Sequence, residues 1–223
     1  MFDNIPEFKL IRSKRKSIGI RISDKGELIV RAPLYVSKRV INSVVLKNMN
    51  WIEQKKKEIE LKNRNKKKFI QGEKLLFLGK EYEIRFVLDQ KDSIKFKGAF
   101  LISYDKKDKA EDIVIKFYKD RAYEILSERV KYYSIKYGFE YNKFKINSAK
   151  KRWGSCSSKG NLNFSFYLIM APLEIIDYVV VHELCHLRIK NHSKEFYNLV
   201  KSILPEYKTR IAHLKILSPH LTL

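Results

Sequence analysis

The stretch that decides the reading is Ile175-Ile176-Asp177-Tyr178-Val179-Val180-Val181-His182-Glu183-Leu184-Cys185-His186-Leu187-Arg188-Ile189-Lys190. Its apolar residues fall on nearly every side of a helix, the pattern of a helix buried all round. Set into it is an H-E-x-x-H pattern made by His182, Glu183 and His186. Residues four apart share one helix face, so both imidazoles can reach a single metal ion. Glu183 is turned about 100° from His182, near the ligand line but off it. A carboxylate there suits a base toward metal-activated water better than it suits a ligand. Three polar side chains in so apolar a helix would be costly without a partner, and a zinc ion supplies one.

Catalytic zinc commonly takes three protein ligands and leaves a position for water or substrate. His192, six residues beyond His186, is the expected third ligand, with Glu195 as the alternative. The resulting H-E-x-x-H-x(5)-H spacing is shared with the metzincins. Those enzymes carry a glycine where this chain has Ile189, so the pattern departs from theirs. Asn191 tolerates left-handed backbone and is expected to make the turn out of the helix. His213 and His220 stand outside any motif and are read as non-catalytic.

Outward from this helix, Ser193 is an expected cap for a helix to about Leu204, and Pro205 opens a last short one. On the other side, Arg152-Trp153-Gly154-Ser155-Cys156-Ser157-Ser158 reads as the edge of an active site. An extended peptide can lie against such a strand through main-chain hydrogen bonds, so Trp153, Gly154 and Ser155 are candidate substrate-binding residues. Gly154 would permit close backbone approach. Lys143 to Asn147 and Asn161 to Tyr167 are expected strands around the Gly/Ser-rich turn. A helix with one broad apolar face runs from about Ile113 to Tyr137, with Gly138 as its C-cap.

The first half reads as hairpins and one long helix. Ile18 to Ile22 and Glu27 to Arg31 flank a turn at Asp24-Lys25-Gly26. Ser37 caps a helix expected to run unbroken from Lys38 to near Lys62. Two further hairpins turn at Gly79-Lys80 and Lys97-Gly98. The charged stretch Asp105 to Asp112 is the expected boundary between a β-rich N-terminal lobe (1–110) and the metallohydrolase domain (111–223).

Composition bounds the class. Hydrophobic residues make up 44% of the 223, enough for a packed core. No apolar stretch resembles a signal peptide or a membrane span, and two cysteines imply no disulfide framework, so a soluble cytoplasmic protein is expected. The 47 Lys+Arg against 25 Asp+Glu give a net charge of +22. Such a field attracts polyanions, making non-specific nucleic-acid contact an expected partner class.

Arg152-Trp153-Gly154-Ser155-Cys156, Asp177 to Leu184, and Asn191-His192-Ser193 with Phe196 together resemble the YgjP-like metallopeptidase domain family. That family is related to the SprT-like and Wss-type minimal zinc peptidases. The resemblance spans nearly the whole chain and is densest from Lys151 to Phe196. It implies an α+β fold with a zincin-like core, zinc held by His182, His186 and His192, and a catalytic Glu183. Cys185 stands where relatives commonly carry a small residue such as Ala.

The expected activity is therefore peptide hydrolysis by zinc-activated water with Glu183 as general base, on peptide or protein substrates that include nucleic-acid-bound proteins. The alternative is a metal-dependent phosphohydrolase acting on nucleotides, which the positive charge favours and the lack of a phosphate-cradling glycine loop opposes. A purely structural zinc site is a weaker reading, since such a site has no use for a base.

Overall fold

In a computed structural model, residues 5–64 and 67–223 are described, and they divide into two units, Met1–Lys66 and Lys67–Leu223. In the first unit, alternation buries Leu28, Val30 and Ala32 of the central strand. That strand, β3 (Leu28–Pro33), pairs antiparallel with β2 (Gly19–Ile22) as the turn signal requires, and parallel with β1 (Lys9–Ser13). Ile41, Val45 and Ile52 complete this core from two helices, α1 (Lys38–Lys47) and α2 (Met49–Arg64). Ser37 Oγ caps α1 by accepting from the Val40 N–H at 3.4 Å.

The single long helix expected here is broken at Asn48. Its side-chain amide donates to Val44 O at 2.8 Å, competing for a carbonyl that a continuous helix would use. Its backbone leaves the helical region at φ −108°, ψ 14°.

The second unit starts with a four-stranded sheet ordered β4-β5-β7-β6, made of β4 (Lys74–Phe77), β5 (Lys80–Val87), β6 (Ile94–Phe96) and β7 (Phe100–Ser103). The β4–β5 hairpin turns on Leu78 (φ 50°) and Gly79 (φ 80°), and its tip is held by Leu78 N–H to Ile169 O and Gly79 N–H to Met170 O, both 2.9 Å. Only glycine fits there, because a Cβ on Gly79 would lie 2.6 Å from Pro172 Cγ.

The boundary expected between Asp105 and Asp112 does not divide this unit. Phe77, Phe96 and Phe100 from the sheet interlock with Phe117 and Tyr118 of the next helix, α3 (Ala110–Tyr137), at ring separations of 5.7 to 6.2 Å. The Tyr118 hydroxyl donates to Leu76 O at 2.5 Å. An aromatic core shared so closely makes sheet and helix one body. The chain therefore divides at Lys66/Lys67 and not near residue 110.

A second sheet, ordered β8-β10-β9, comprises β8 (Lys143–Asn147), β9 (Gly154–Cys156) and β10 (Asn161–Ser165). Here β8 and β10 run parallel, with β9 antiparallel to β10 on the outer edge. Three helices follow: α4 (Leu173–Cys185), α5 (Lys194–Ile203) and α6 (Tyr207–Leu217). The apolar residues of α4 are buried almost throughout. A bidentate pair fixes this helix against α3: Arg129 donates to both carboxylate oxygens of Asp177 at 2.6 and 2.8 Å. None of the described helices is long and apolar enough to cross a membrane.

Candidate metal centre

Burial of α4 brings His182 and His186 out on one side near its C-terminal end. The helix stops at Cys185, and His186 is its C-cap with φ −65°, ψ −14°. The next residues tighten into i→i−3 bonding, with Leu187 N–H on Leu184 O (3.0 Å) and Arg188 N–H on Cys185 O (3.1 Å). The expected left-handed turn at Asn191 is absent, since Phe69, Leu78 and Asp89 are the non-glycine residues with positive φ among those described. Instead Asn191 Oδ1 accepts from Ser193 N–H at 3.3 Å, and Ser193 Oγ accepts from Phe196 N–H at 3.4 Å, starting α5.

This path returns His192 to the helix. The three Nε2 atoms lie 3.2 Å (182 to 186), 3.1 Å (186 to 192) and 3.0 Å (182 to 192) apart. Among the described residues they form the one His/Cys/Asp/Glu group able to hold a metal ion. The alternative ligand Glu195 is outside the cluster; the Ser193 hydroxyl beside it holds its carboxyl below the usual range. His213 and His220 are exposed and also outside it, as is the free thiol of Cys156. Cys185 is buried in the core of the unit, where burial pushes its thiol up to about 12.

The donor set fits a cation. His186 Nδ1 lies 3.0 Å from Ile189 O, and a carbonyl can only accept, so this nitrogen carries the proton and leaves Nε2 with a lone pair. The Tyr178 hydroxyl lies 3.3 Å from His182 Nδ1 on the side away from the cluster. Burial and the other two imidazoles push His182 down to about 3, and burial also lowers His186, so both rings are neutral. Three imidazole nitrogens converging at such separations form a donor set that a cation lying among them would satisfy. Phe196, fully buried, packs the floor: its ring centroid is 4.5 Å from His186, 4.9 Å from His182 and 5.0 Å from His192.

Glu183 is 7% exposed and has no hydrogen-bond partner among the described residues. Burial raises its carboxyl to about 7, against the opposing pull of the Arg152 guanidinium. It packs on β9 so tightly that a Cβ on Gly154 would lie 2.5 Å from Glu183 Cγ and 2.6 Å from Oε1.

The three candidate substrate-binding residues part company here. Ser157 N–H donates to Asn161 O and Ser165 N–H to Trp153 O, both 2.9 Å, with Ser155 opposite Asn163 between them. Antiparallel alternation therefore turns the N–H and C=O of Ser155 into the sheet, and those of Gly154 and Cys156 out to the free edge. Trp153 donates its indole N–H to Ser218 Oγ at 3.1 Å, tying the edge to the C-terminal segment.

The YgjP-like metallopeptidase domain profile matches residues 16–216. The chain belongs to the YgjP-like metallopeptidase family. No curated protein sequence matches this metallopeptidase. Among solved structures, it is similar to the zymogen of the metallopeptidase jannalysin from Methanocaldococcus jannaschii, at 24% identity over 44% of this chain and 95% of that one, with a TM-score of 0.34.

Three residues around the cluster escape a reading by motif: Arg188, Ile189 through its carbonyl, and Cys156 through its free main-chain edge. Tyr178, a candidate oxyanion stabiliser on sequence grounds, stands four before His182, and that spacing is the signal for its place beside His182 Nδ1. The Arg188 guanidinium donates to Tyr137 O (2.7 Å) and Gly138 O (2.9 Å) and lies 4.3 Å from the Phe139 ring, contacts that no local pattern announces.

Proposed function

We propose that this YgjP-like metallopeptidase is a zinc enzyme that cleaves extended peptide segments, with Glu183 as general base. The observation that carries the reading is the convergence of three imidazole Nε2 atoms within 3.2 Å of one another on the helix that carries the largely buried Glu183. An all-nitrogen set of three imidazoles matches the ligands of catalytic zinc, and His182, His186 and His192 would hold the ion. When bound, zinc would polarise a water molecule and the substrate carbonyl.

The remaining steps belong to the chain. The free edge of β9 offers Gly154 and Cys156 main-chain groups to an extended substrate, fixing it by backbone bonds that any sequence can make. Gly154 lets that edge stand against Glu183 without an intervening side chain. The Glu183 carboxylate takes a proton from the attacking water and delivers it to the leaving amide nitrogen. Its raised proton affinity suits both halves of that transfer near neutral pH. The family favours amide bonds over phosphate esters as targets, and the +22 charge supports acidic or nucleic-acid-bound proteins among the substrates.

The test is hydrolysis of unfolded casein by the full-length protein, before and after metal removal with 1,10-phenanthroline. Cleavage that disappears on chelation and returns with zinc is expected. Cleavage that persists in fully metal-free protein would overturn the reading.

A further inference from the structure

We propose that Tyr178 is a positioning residue for the metal: its hydroxyl accepts the Nδ1–H of His182 and fixes that ring with its Nε2 lone pair turned into the cluster. The inference rests on the zinc reading above and adds a residue outside the ligand set.

Tyr178, His182 and His186 stand at i, i+4 and i+8 of one helix stripe, so the phenol sits directly behind the first imidazole. Tyr178 is 6% exposed, and its ring meets that of His182 edge-on, at 5.8 Å and 62°. Its oxygen is 3.3 Å from His182 Nδ1. The proton on His182 can sit on only one nitrogen of the neutral ring. Placed on Nε2, it would point at two other nitrogens 3.0 and 3.2 Å away and close the cluster to a cation. Placed on Nδ1, it needs an acceptor on the buried side, and the Tyr178 oxygen is the one in reach among the described residues. The direction of this one hydrogen bond therefore decides whether His182 can ligate.

His186 supplies the comparison within the same site. Its Nδ1–H is held by a main-chain carbonyl, Ile189 O at 3.0 Å, which no side-chain substitution at 178 removes. Tyr178 thus gives His182 by side chain what the helix exit gives His186 by backbone. Outer partners of this kind orient the ring and raise ligand basicity.

The experiment compares full-length wild type with Tyr178→Phe, which keeps the ring and its packing. Two readings are taken: zinc affinity by competition with a chromogenic chelator, and imidazole N–H resonances of the zinc-loaded proteins by NMR. Zinc binding should weaken by about 10- to 100-fold, the usual effect of removing an outer partner. The His182 Nδ1–H signal should shift or broaden by solvent exchange, while that of His186 stays in place. Affinity within about twofold of wild type, or movement of both N–H signals together, would overturn the proposal, the second showing general loosening of the helix. Wild type alone supplies an independent check: zinc-loaded protein showing a proton on His182 Nε2 contradicts the inference without any variant. Wild type that takes up no zinc fails at an earlier step and removes the metal reading itself.

Discussion

His182 and His186 stand on a helix buried on nearly every side, whereas His192 stands on an exposed turn six residues later. In the first case spacing does the work: four residues of helix put two rings on one face, and the core holds the helix. In the second, nothing local fixes the ring. The turn is held by Arg188 on the end of α3, by the Ser193 cap and by Phe196 beneath all three imidazoles. A ligand pair set by helix geometry should resist changes elsewhere in the unit, and a ligand set by tertiary contacts should not.

The largest expected effect lies on the helix side. Glu183→Gln keeps shape and removes the base, so kcat should fall by about 10²- to 10⁴-fold while zinc is retained. Full activity would take Glu183 out of the mechanism, and loss of zinc would make it a ligand. Next is Gly154→Ala, which leaves the identity of every ligand and of the base unchanged. The added Cβ must push Glu183 aside, and displacement of a reacting group by an ångström costs about 10²-fold. Turnover should drop by that order with zinc content unchanged; unaltered turnover would show that the Glu183 position is not critical.

Arg188→Ala addresses the turn. It frees the segment before His192 while leaving α4 intact, so zinc should bind about 10-fold more weakly, as for the loss of an outer-shell support. Chelator competition reads this, and unchanged affinity would mean that the turn holds itself.

The smallest effect has the opposite sign to the first. In the folded chain Glu183 is raised from 4.5 to about 7, chiefly by burial. Between those values the folded state keeps a proton that the unfolded state has lost, so stability of the metal-free protein falls as pH rises through the window. Glu183→Gln removes that cost, and at about pH 8 the metal-free variant should be more stable by ~1–3 kcal/mol. Thermal unfolding of both proteins checks it, and a lower Tm for the variant would contradict it. Hydrolysis, which needs the ionised carboxylate, should decline as pH falls through the same range.

The same division governs how much the sequence discloses. Helix α4 up to Cys185, though not on to Lys190 as its pattern suggests, the Ser37 and Ser193 caps and the left-handed C-cap at Gly138 are written in short-range spacing and residue chemistry. The turns at Gly79 and Gly98 are equally local. What stayed hidden depends on partners far along the chain. Parallel pairing of β8 with β10, and of β1 with β3, leaves no mark in either strand alone. Charge in Asp105–Asp112 suggests a boundary near residue 110, but the aromatic residues on both sides of it decide the packing. Composition does not separate Ser155 from Gly154 as a binding residue, because it cannot tell which main-chain groups face the sheet and which face its edge.

Zinc per chain bears most directly on the His₃ site, measured by mass spectrometry on purified wild type, His182→Ala and His192→Ala after dialysis against a weak chelator. Wild type should hold about one zinc per chain, and each variant, left with two imidazoles, should hold far less. Wild type without zinc, or a His192→Ala protein that keeps its full equivalent, would contradict the three-histidine centre.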